Sequence, residues 1–207
     1  MKNPVRCLSR FALVGMAITG LLMGSTAWAE EESPNPNKLK VGMVLTLEGV
    51  DAAGALYEQI FWVSGRASLP FLERKQFKVI EIFGGDEASM LLGRWDNNGD
   101  FYIYAAGGWE EASFVNGPVG STFQYQEPDG SVIAGTVVSV GETVVVPAGT
   151  FYDCVQTEKR DVTGPVPSPP WIEWVKPGLF IVKWIDWWVP NAAPIEWELV
   201  SIEYTHP

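Results

Sequence analysis

The stretch Val144-Val145-Val146-Pro147-Ala148-Gly149-Thr150-Phe151-Tyr152-Asp153-Cys154-Val155-Gln156-Thr157-Glu158 decides the fold. Thr143 and the three valines after it are β-branched, which suits a pleated backbone and resists a helix. Pro147 presets φ for the second position of a type I or II turn, and Gly149 releases the chain from that turn. Thr150 to Tyr152 starts a new strand, which Cys154 and Val155 continue. A second segment, Trp174-Val175-Lys176-Pro177-Gly178-Leu179-Phe180-Ile181-Val182-Lys183-Trp184, repeats the plan of strand, Pro-Gly turn, strand. Two such hairpins fix an antiparallel architecture. They name no reaction.

Working outward, the same alternation continues in both directions. Val41 to Leu47 is a short apolar run and a first strand. Ala55 to Ser64 reads as the next, although Leu56, Ile60 and Val63 also fit one face of a helix. Pro70 and Glu73-Arg74-Lys75 mark a connection. From Gln76 the strand signal persists: Phe77, Val79, Glu81 and Phe83 share one face, and Lys78, Ile80 and Ile82 the other. Ser89 to Trp95, Phe101 to Ala105, Trp109 to Val115, Ser121 to Gln126 and Ser131 to Val140 follow. Gly84-Gly85, Asp96-Asn97-Asn98-Gly99-Asp100, Gly107-Gly108, Asn116-Gly117-Pro118 and Pro128-Asp129-Gly130 separate them. Turn signals about every 8–12 residues mark an all-β domain. A Pro-rich loop over residues 164–170, the Trp-rich hairpin from Trp171 to Trp188 and a strand from Ile195 to Tyr204 complete the chain. In two strands the apolar residues change face: Phe151 and Val155 oppose Tyr152 and Cys154, and Trp197 and Leu199 oppose Val200, Ile202 and Tyr204. Bulges, which curl a sheet over a core, are the preferred reading; a sheet covered on both faces is the alternative.

The first residues read as a targeting segment. Lys2, Arg6 and Arg10 form a positive region, and Phe11 to Met23 is apolar, interrupted by Gly15, Thr19 and Gly20. That run falls short of the about 18–20 residues a membrane-spanning helix needs. Ala27-Trp28-Ala29 has the small-x-small form of a signal-peptidase site, which places the cut after Ala29. Cys7 lies too early to be an acylation site, so the processed chain is expected to be periplasmic or extracellular, without a membrane anchor. Residues 30–38, charged and rich in Pro and Asn, read as a disordered leader. Residues 39–207 form the expected single antiparallel β domain, with little helix, as a curled sheet or open barrel.

Removing Lys2, Arg6 and Arg10 from the 14 basic residues leaves 11 against 25 acidic ones, a formal charge of −14. Nucleic acid and anionic membrane surfaces both select for positive charge, so neither is an expected partner. Cys154 is the one cysteine beyond the cut, which rules out an intramolecular disulfide. In an apolar strand it reads as a buried small hydrophobe, with a reactive or intermolecular thiol as the alternative.

Groups able to carry catalysis are scarce. The one histidine, His206, is next to last, which removes Ser-His, Cys-His and multi-His metal sites. Asp96 to Asp100 spaces oxygen ligands as a calcium loop does, but Phe101 stands where that loop needs Gly and Gly107 where it needs an acid. Asn98-Gly99 is equally a hairpin turn. Glu110 and Glu111 point to opposite faces of a strand. Nine tryptophans lie beyond the cut, six of them between residues 171 and 197. Flat side chains with one polar edge suit lipid, glycan or protein partners, and they also fill cores.

Three segments together resemble a group of poorly characterised bacterial exported proteins, many of them lipoproteins. They are Val144 to Phe151 with Cys154, Trp174-Val175-Lys176-Pro177-Gly178 with Val182-Lys183, and Glu198-Leu199-Val200-Ser201. In that group a V-P-A-G-T-F hairpin precedes a W-x-x-P-G-x-G-x-V-K hairpin and an E-L-V-S strand. Asp100 to Tyr104 is similar to its D-G-x-Y strand. The resemblance covers roughly residues 90 to 204 and implies an antiparallel curled sheet or open barrel, distantly similar to periplasmic lipoprotein carriers. The sequence departs from the pattern at Phe180, where a second Gly is usual, and in having no acylated Cys. The resemblance carries no catalytic residues.

The expected function is therefore non-enzymatic: an exported protein binding an apolar or amphipathic ligand, such as a lipid, on a Trp-rich sheet face. The candidate residues are Trp171, Trp174, Trp184, Trp187 and Trp188, with no catalytic residue, metal or cofactor. The alternative is a structural or interaction module that meets another envelope protein. An enzyme acting on glycans, with carboxylates such as Glu173 and Asp186, comes third. An open apolar cavity favours the first reading and a filled interior the second.

Overall fold

The computed structural model describes residues 38–68, 76–84, 87–105, 108–127, 130–166, 168–187 and 193–205. The expected signal segment, almost all of the expected leader, Pro70, Glu73 to Lys75, Trp188 and His206 lie outside these residues. The described elements are β1 (Met43–Val50), β2 (Leu56–Ser68), β3 (Gln76–Gly84), β4 (Glu87–Trp95), β5 (Phe101–Tyr104) and β6 (Glu110–Phe114). They continue as β7 (Thr122–Gln126), β8 (Val132–Val146), β9 (Gly149–Asp161), β10 (Trp171–Val175), β11 (Ile181–Asp186) and β12 (Ile195–Tyr204). There is no helix among the described residues, and Leu56, Ile60 and Val63 sit on a strand.

All 12 strands join one sheet in the order β6-β5-β4-β3-β2-β1-β12-β11-β10-β9-β8-β7, and every ladder is antiparallel. The chain is thus two six-stranded meanders joined by the β1–β12 ladder. The sheet curls until its two edges, β6 and β7, lie side by side. A side chain, rather than a ladder, spans this seam. The carboxylate of Glu111 accepts hydrogen bonds from Trp109 Nε1 on its own side and from the backbone N–H of Gln126 across the gap. The result is a nearly closed barrel, with Met43, Leu45, Leu47, Phe61, Val63, Ile80, Ile133 and Leu199 buried inside.

The turns follow the local chemistry. Pro147-Ala148 links β8 to β9, and Gly149 follows at φ 138°. At the β10–β11 turn, Leu179 N donates to Lys176 O at 2.9 Å and Gly178 takes φ 86°, a type II turn with Pro177 at its second position. In the acidic loop, Asp96 Oδ1 accepts from the backbone N–H groups of Asn98 and Asp100. Asp100 Oδ1 accepts from Asn116 N. These carboxylates serve as turn acceptors.

Both changes of face are bulges. Along the β1–β12 ladder the register slips at Val200, so Leu199 and Trp197 oppose Leu47 and Gly49 while Ile202 and Tyr204 oppose Leu45 and Met43. Ile202 therefore packs against the same core as Trp197 and Leu199, while Tyr204 at the strand end is exposed. In β9, Asp153 adopts φ 55° and the register against β8 slips, burying Phe151, Cys154 and Val155 and leaving Tyr152 outside. Residues 131–140 and 143–146, read as separate strands, are one continuous strand. Gly141 at φ 72° and repeated slips bend it without ending its pairing with β9.

That bend closes one end of the barrel. β8 and β9 run past the neighbours that pair with them at Val132–Thr136 and Val155–Lys159. The protruding hairpin turns back, so that Val144, Val146 and Phe151 join the core. Ala148 N donates to Leu199 O at 3.0 Å. Trp174 Nε1 donates to Glu142 Oε2 at 2.6 Å, and Lys176 Nζ to Tyr152 O at 2.7 Å. The V-P-A-G-T-F hairpin is a stopper.

Candidate functional site

The antiparallel register lays interior side chains in rows around the barrel. One row runs Tyr57, Gly49, Trp197, Trp184, Glu173, Thr157, Val137 across β2, β1, β12, β11, β10, β9 and β8. Trp184 and Trp197 stack at 4.9 Å with planes 24° apart, and Tyr57 lies 6.3 Å from Trp197. Gly49 makes room for this: a Cβ there would meet the Trp197 ring at 2.6 Å. The same device recurs twice. A Cβ on Gly93 would meet Phe101 at 2.3 Å, and one on Gly135 would meet Phe123 at 2.2 Å.

Between the β3–β6 wall and the β7, β9 and β10 wall the interior is not filled. The volume open to the centre of a water-sized sphere is about 80 Å³, several times the about 10–15 Å³ that one water needs. Its apolar side is aromatic: Phe61, Trp95, Phe101, Phe114 and Phe180 line it. Phe180 lies 5.0 Å from Phe61 and 5.6 Å from Phe101, and Trp95 lies 5.0 Å from Phe101. Trp95 Nε1 is anchored on Leu179 O at 3.3 Å. Phe180, the departure from the Pro-Gly hairpin pattern, thus inserts a ring into the cavity wall while the hairpin keeps its turn. Met90, 43% exposed, also lines the cavity and marks its approach to the surface.

The other side is ionic. Lys159 on β9, Glu173 on β10 and Glu127 after β7 all line the cavity and are 5%, 7% and 4% exposed. Lys159 Nζ lies 2.7 Å from Glu173 Oε2, while Glu173 Oε1 accepts from Trp171 Nε1 at 2.8 Å. The Lys159 ammonium also lies 5.7 Å from the centre of the Phe123 ring and 5.6 Å from that of Tyr125. Burial pushes the Tyr125 hydroxyl well above its usual pKa, and the charges of Glu127 and Glu173 push it further, so it stays a neutral donor. Buried charges persist only when paired and hydrogen-bonded, which this arrangement provides for Lys159 and Glu173.

The four candidate tryptophans among the described residues do not share one surface. Trp184 is buried in the stack with Trp197. Trp171 is half-buried and holds Glu173. Trp174 is bonded to Glu142, with Lys183 Nζ 5.8 Å from its ring centre. Trp187, half-buried, follows the end of β11, and Trp188 is outside the described residues. Of the four described, none lines the cavity; Trp171 reaches it through Glu173. Sequence alone does not single out the residues that do line it, because Phe61, Trp95, Phe101, Phe114 and Lys159 come from distant strands. Cys154 is buried, and burial raises its thiol pKa to about 11, which keeps it protonated and unreactive. Among the described residues no group of three or more His, Cys, Asp or Glu side chains is placed to hold a metal ion.

No protein-family profile matches the chain, and no curated protein sequence matches it. Among solved structures, the chain is similar to a Bacteroides fragilis protein named as exported and as having a YmcC-like fold. The identity is 16% and the TM-score 0.54, covering 80% of this chain and 97% of that one. A Parabacteroides distasonis protein named as a lipoprotein gives 14% identity and a TM-score of 0.51, again covering 80% and 97%. The likeness is one of fold. One neighbour is named as an exported protein and the other as a lipoprotein, in keeping with a poorly characterised exported group, and neither name states a ligand or a reaction.

Proposed function

We propose that this chain is an exported, non-enzymatic binding protein that holds the apolar part of an amphipathic ligand inside its barrel. The observation that carries this reading is the cavity itself, aromatic on one side and ionic on the other, inside the barrel. A site that is mostly apolar with a few placed polar groups is the usual form of a small-molecule pocket. Its size suits a short acyl stem or a single ring, with the rest of the ligand emerging beside Met90.

A glycan-cleaving reading is weaker, because a cleaving pair needs one carboxyl free to deliver a proton. Both oxygens of Glu173 are engaged, by Lys159 and by Trp171. The interaction-module reading retains one observation in its favour: Val138, Val140, Val145 and Tyr152 are exposed along the stopper hairpin. Native mass spectrometry of the protein purified from its own host tests the first reading. A co-purified small amphipath, released on denaturation, is the expected result. A clean apo mass, together with no change in tryptophan emission on adding lipids or detergents, overturns it.

A further inference from the structure

Resting on the cavity-binding reading, we infer that the ligand is an extended peptide that adds a strand to the free edge of β4 and places one apolar side chain in the cavity. β4 pairs with β3 from Glu87 to Gly93, but with β5 only from Gly93 to Trp95. Among the described residues, Ala88 to Leu92 therefore have a ladder partner on one side and none on the other. The cavity lies behind this stretch, since Ser89, Met90 and Leu91 all line it. Ser89 stands opposite Ile82 and Leu91 opposite Ile80, both core residues, so these two positions face the interior. Ala88 and Met90, which alternate with them, are exposed. A strand laid along the edge alternates in the same way. Its residue beside Ser89 or Leu91 points inward, toward the rings that wall the cavity, and its neighbours point to solvent.

The chemistry of the edge selects a peptide. A strand edge without a ladder offers backbone N–H donors and C=O acceptors at strand spacing, which another backbone matches and an acyl chain does not. Exposed edges are usually guarded by charge, proline or a bulge. Ala88-Ser89-Met90-Leu91-Leu92 carries no charge and no proline, and its ladder with β3 runs without a register slip. The protruding part of β8 differs, because slips between Val137 and Val144 break its ladder with β9. It also lies at the stoppered end, and none of its residues lines the cavity.

The test is calorimetric titration of the full chain with acetyl-Thr-Thr-Phe-Thr-Thr-amide, its central-Ala analogue, hexanol and monomeric dodecylphosphocholine, with amide hydrogen exchange on the complexes. The Phe peptide is expected to bind at least roughly tenfold more tightly than the Ala peptide, and to protect amides within residues 88–92. Ser113→Leu, which fills the cavity, should erase that advantage while the Ala peptide keeps its affinity, which also shows that the variant folds. N-methylation of alternate peptide residues removes the bonds along one edge, so it should weaken binding in one frame and spare it in the other. Equal losses in both frames or in neither overturn the inference, as does a Phe advantage that survives Ser113→Leu, or protection at residues 138–146 in place of 88–92. Hexanol binding without the Phe peptide, or dodecylphosphocholine binding more tightly than it, also overturns the inference and spares the cavity-binding reading. If none of these compounds binds, the cavity-binding reading itself fails, and the inference with it.

Discussion

The two sides of the barrel use aromatic rings in different ways. On the β1–β12–β11 side, Trp197 lies over Gly49 and Trp184 stacks on Trp197, so ring piles on ring. On the other side, Phe101 lies over Gly93 and Phe123 over Gly135. There Phe101, drawn back into its glycine seat, lines the cavity. A glycine opposite a ring therefore has two uses. It admits a second layer of rings, or it withdraws the first layer to leave a cavity.

Substitutions on the two sides should separate these uses. Trp197→Ala is expected to have the largest effect, a loss of about 3–5 kcal/mol in urea unfolding, because it strips the stack of its middle ring. A loss below about 1 kcal/mol would mean that the stacked side is not closely packed. Small-to-large changes should then differ in sign. Gly49→Ala should cost about 1–3 kcal/mol by overpacking against Trp197. Ser113→Leu, facing the cavity, should instead stabilise by about 0.5–2 kcal/mol. Equal and unfavourable shifts would show that the cavity side is as full as the other.

Smaller effects test the stopper. Trp174→Phe removes the bond to Glu142 and should cost about 1 kcal/mol, with faster hydrogen exchange at the Ala148 amide. Unchanged exchange there would show that Glu142 does not hold the hairpin. Cys154 gives a pH dependence. Its pKa is about 11 in the folded chain against 9.0 for an unperturbed thiol, so folding favours the protonated form. The stability this supplies is complete below pH 9 and is lost as pH rises through about 11. Cys154→Val should flatten that part of the pH profile relative to the parent, and native thiol labelling should be slow below it.

The strands and turns were legible because their signals are local. A run of β-branched residues needs no partner to be read: Thr143 to Val146, Pro147 and Gly149 specify a hairpin within eight residues. The bulges were legible too, since Trp197 and Leu199 could not share a face with Ile202 and Tyr204 without one. The cavity was not. Tryptophan density draws attention to residues 171–188, yet a ring's neighbours across the sheet, not its neighbours in sequence, decide whether it fills or lines. Lys159 and Glu173 look like ordinary charges alternating along strands. Only the β9–β10 register turns them into an interior pair.

The order of the sheet also bears on how the molecule can be cut and rejoined. β1 and β12 sit side by side at its centre, and Thr205 N donates to Gly42 O at 2.7 Å just beyond their ladder. The connection between the two meanders, residues 115–121, passes instead beside the seam, where Glu111 spans the edges. Opening the backbone there while linking residue 205 to residue 42 would give a circular permutant that keeps every ladder. Two separately expressed halves, divided at the same place, should likewise find each other through the shared central strands.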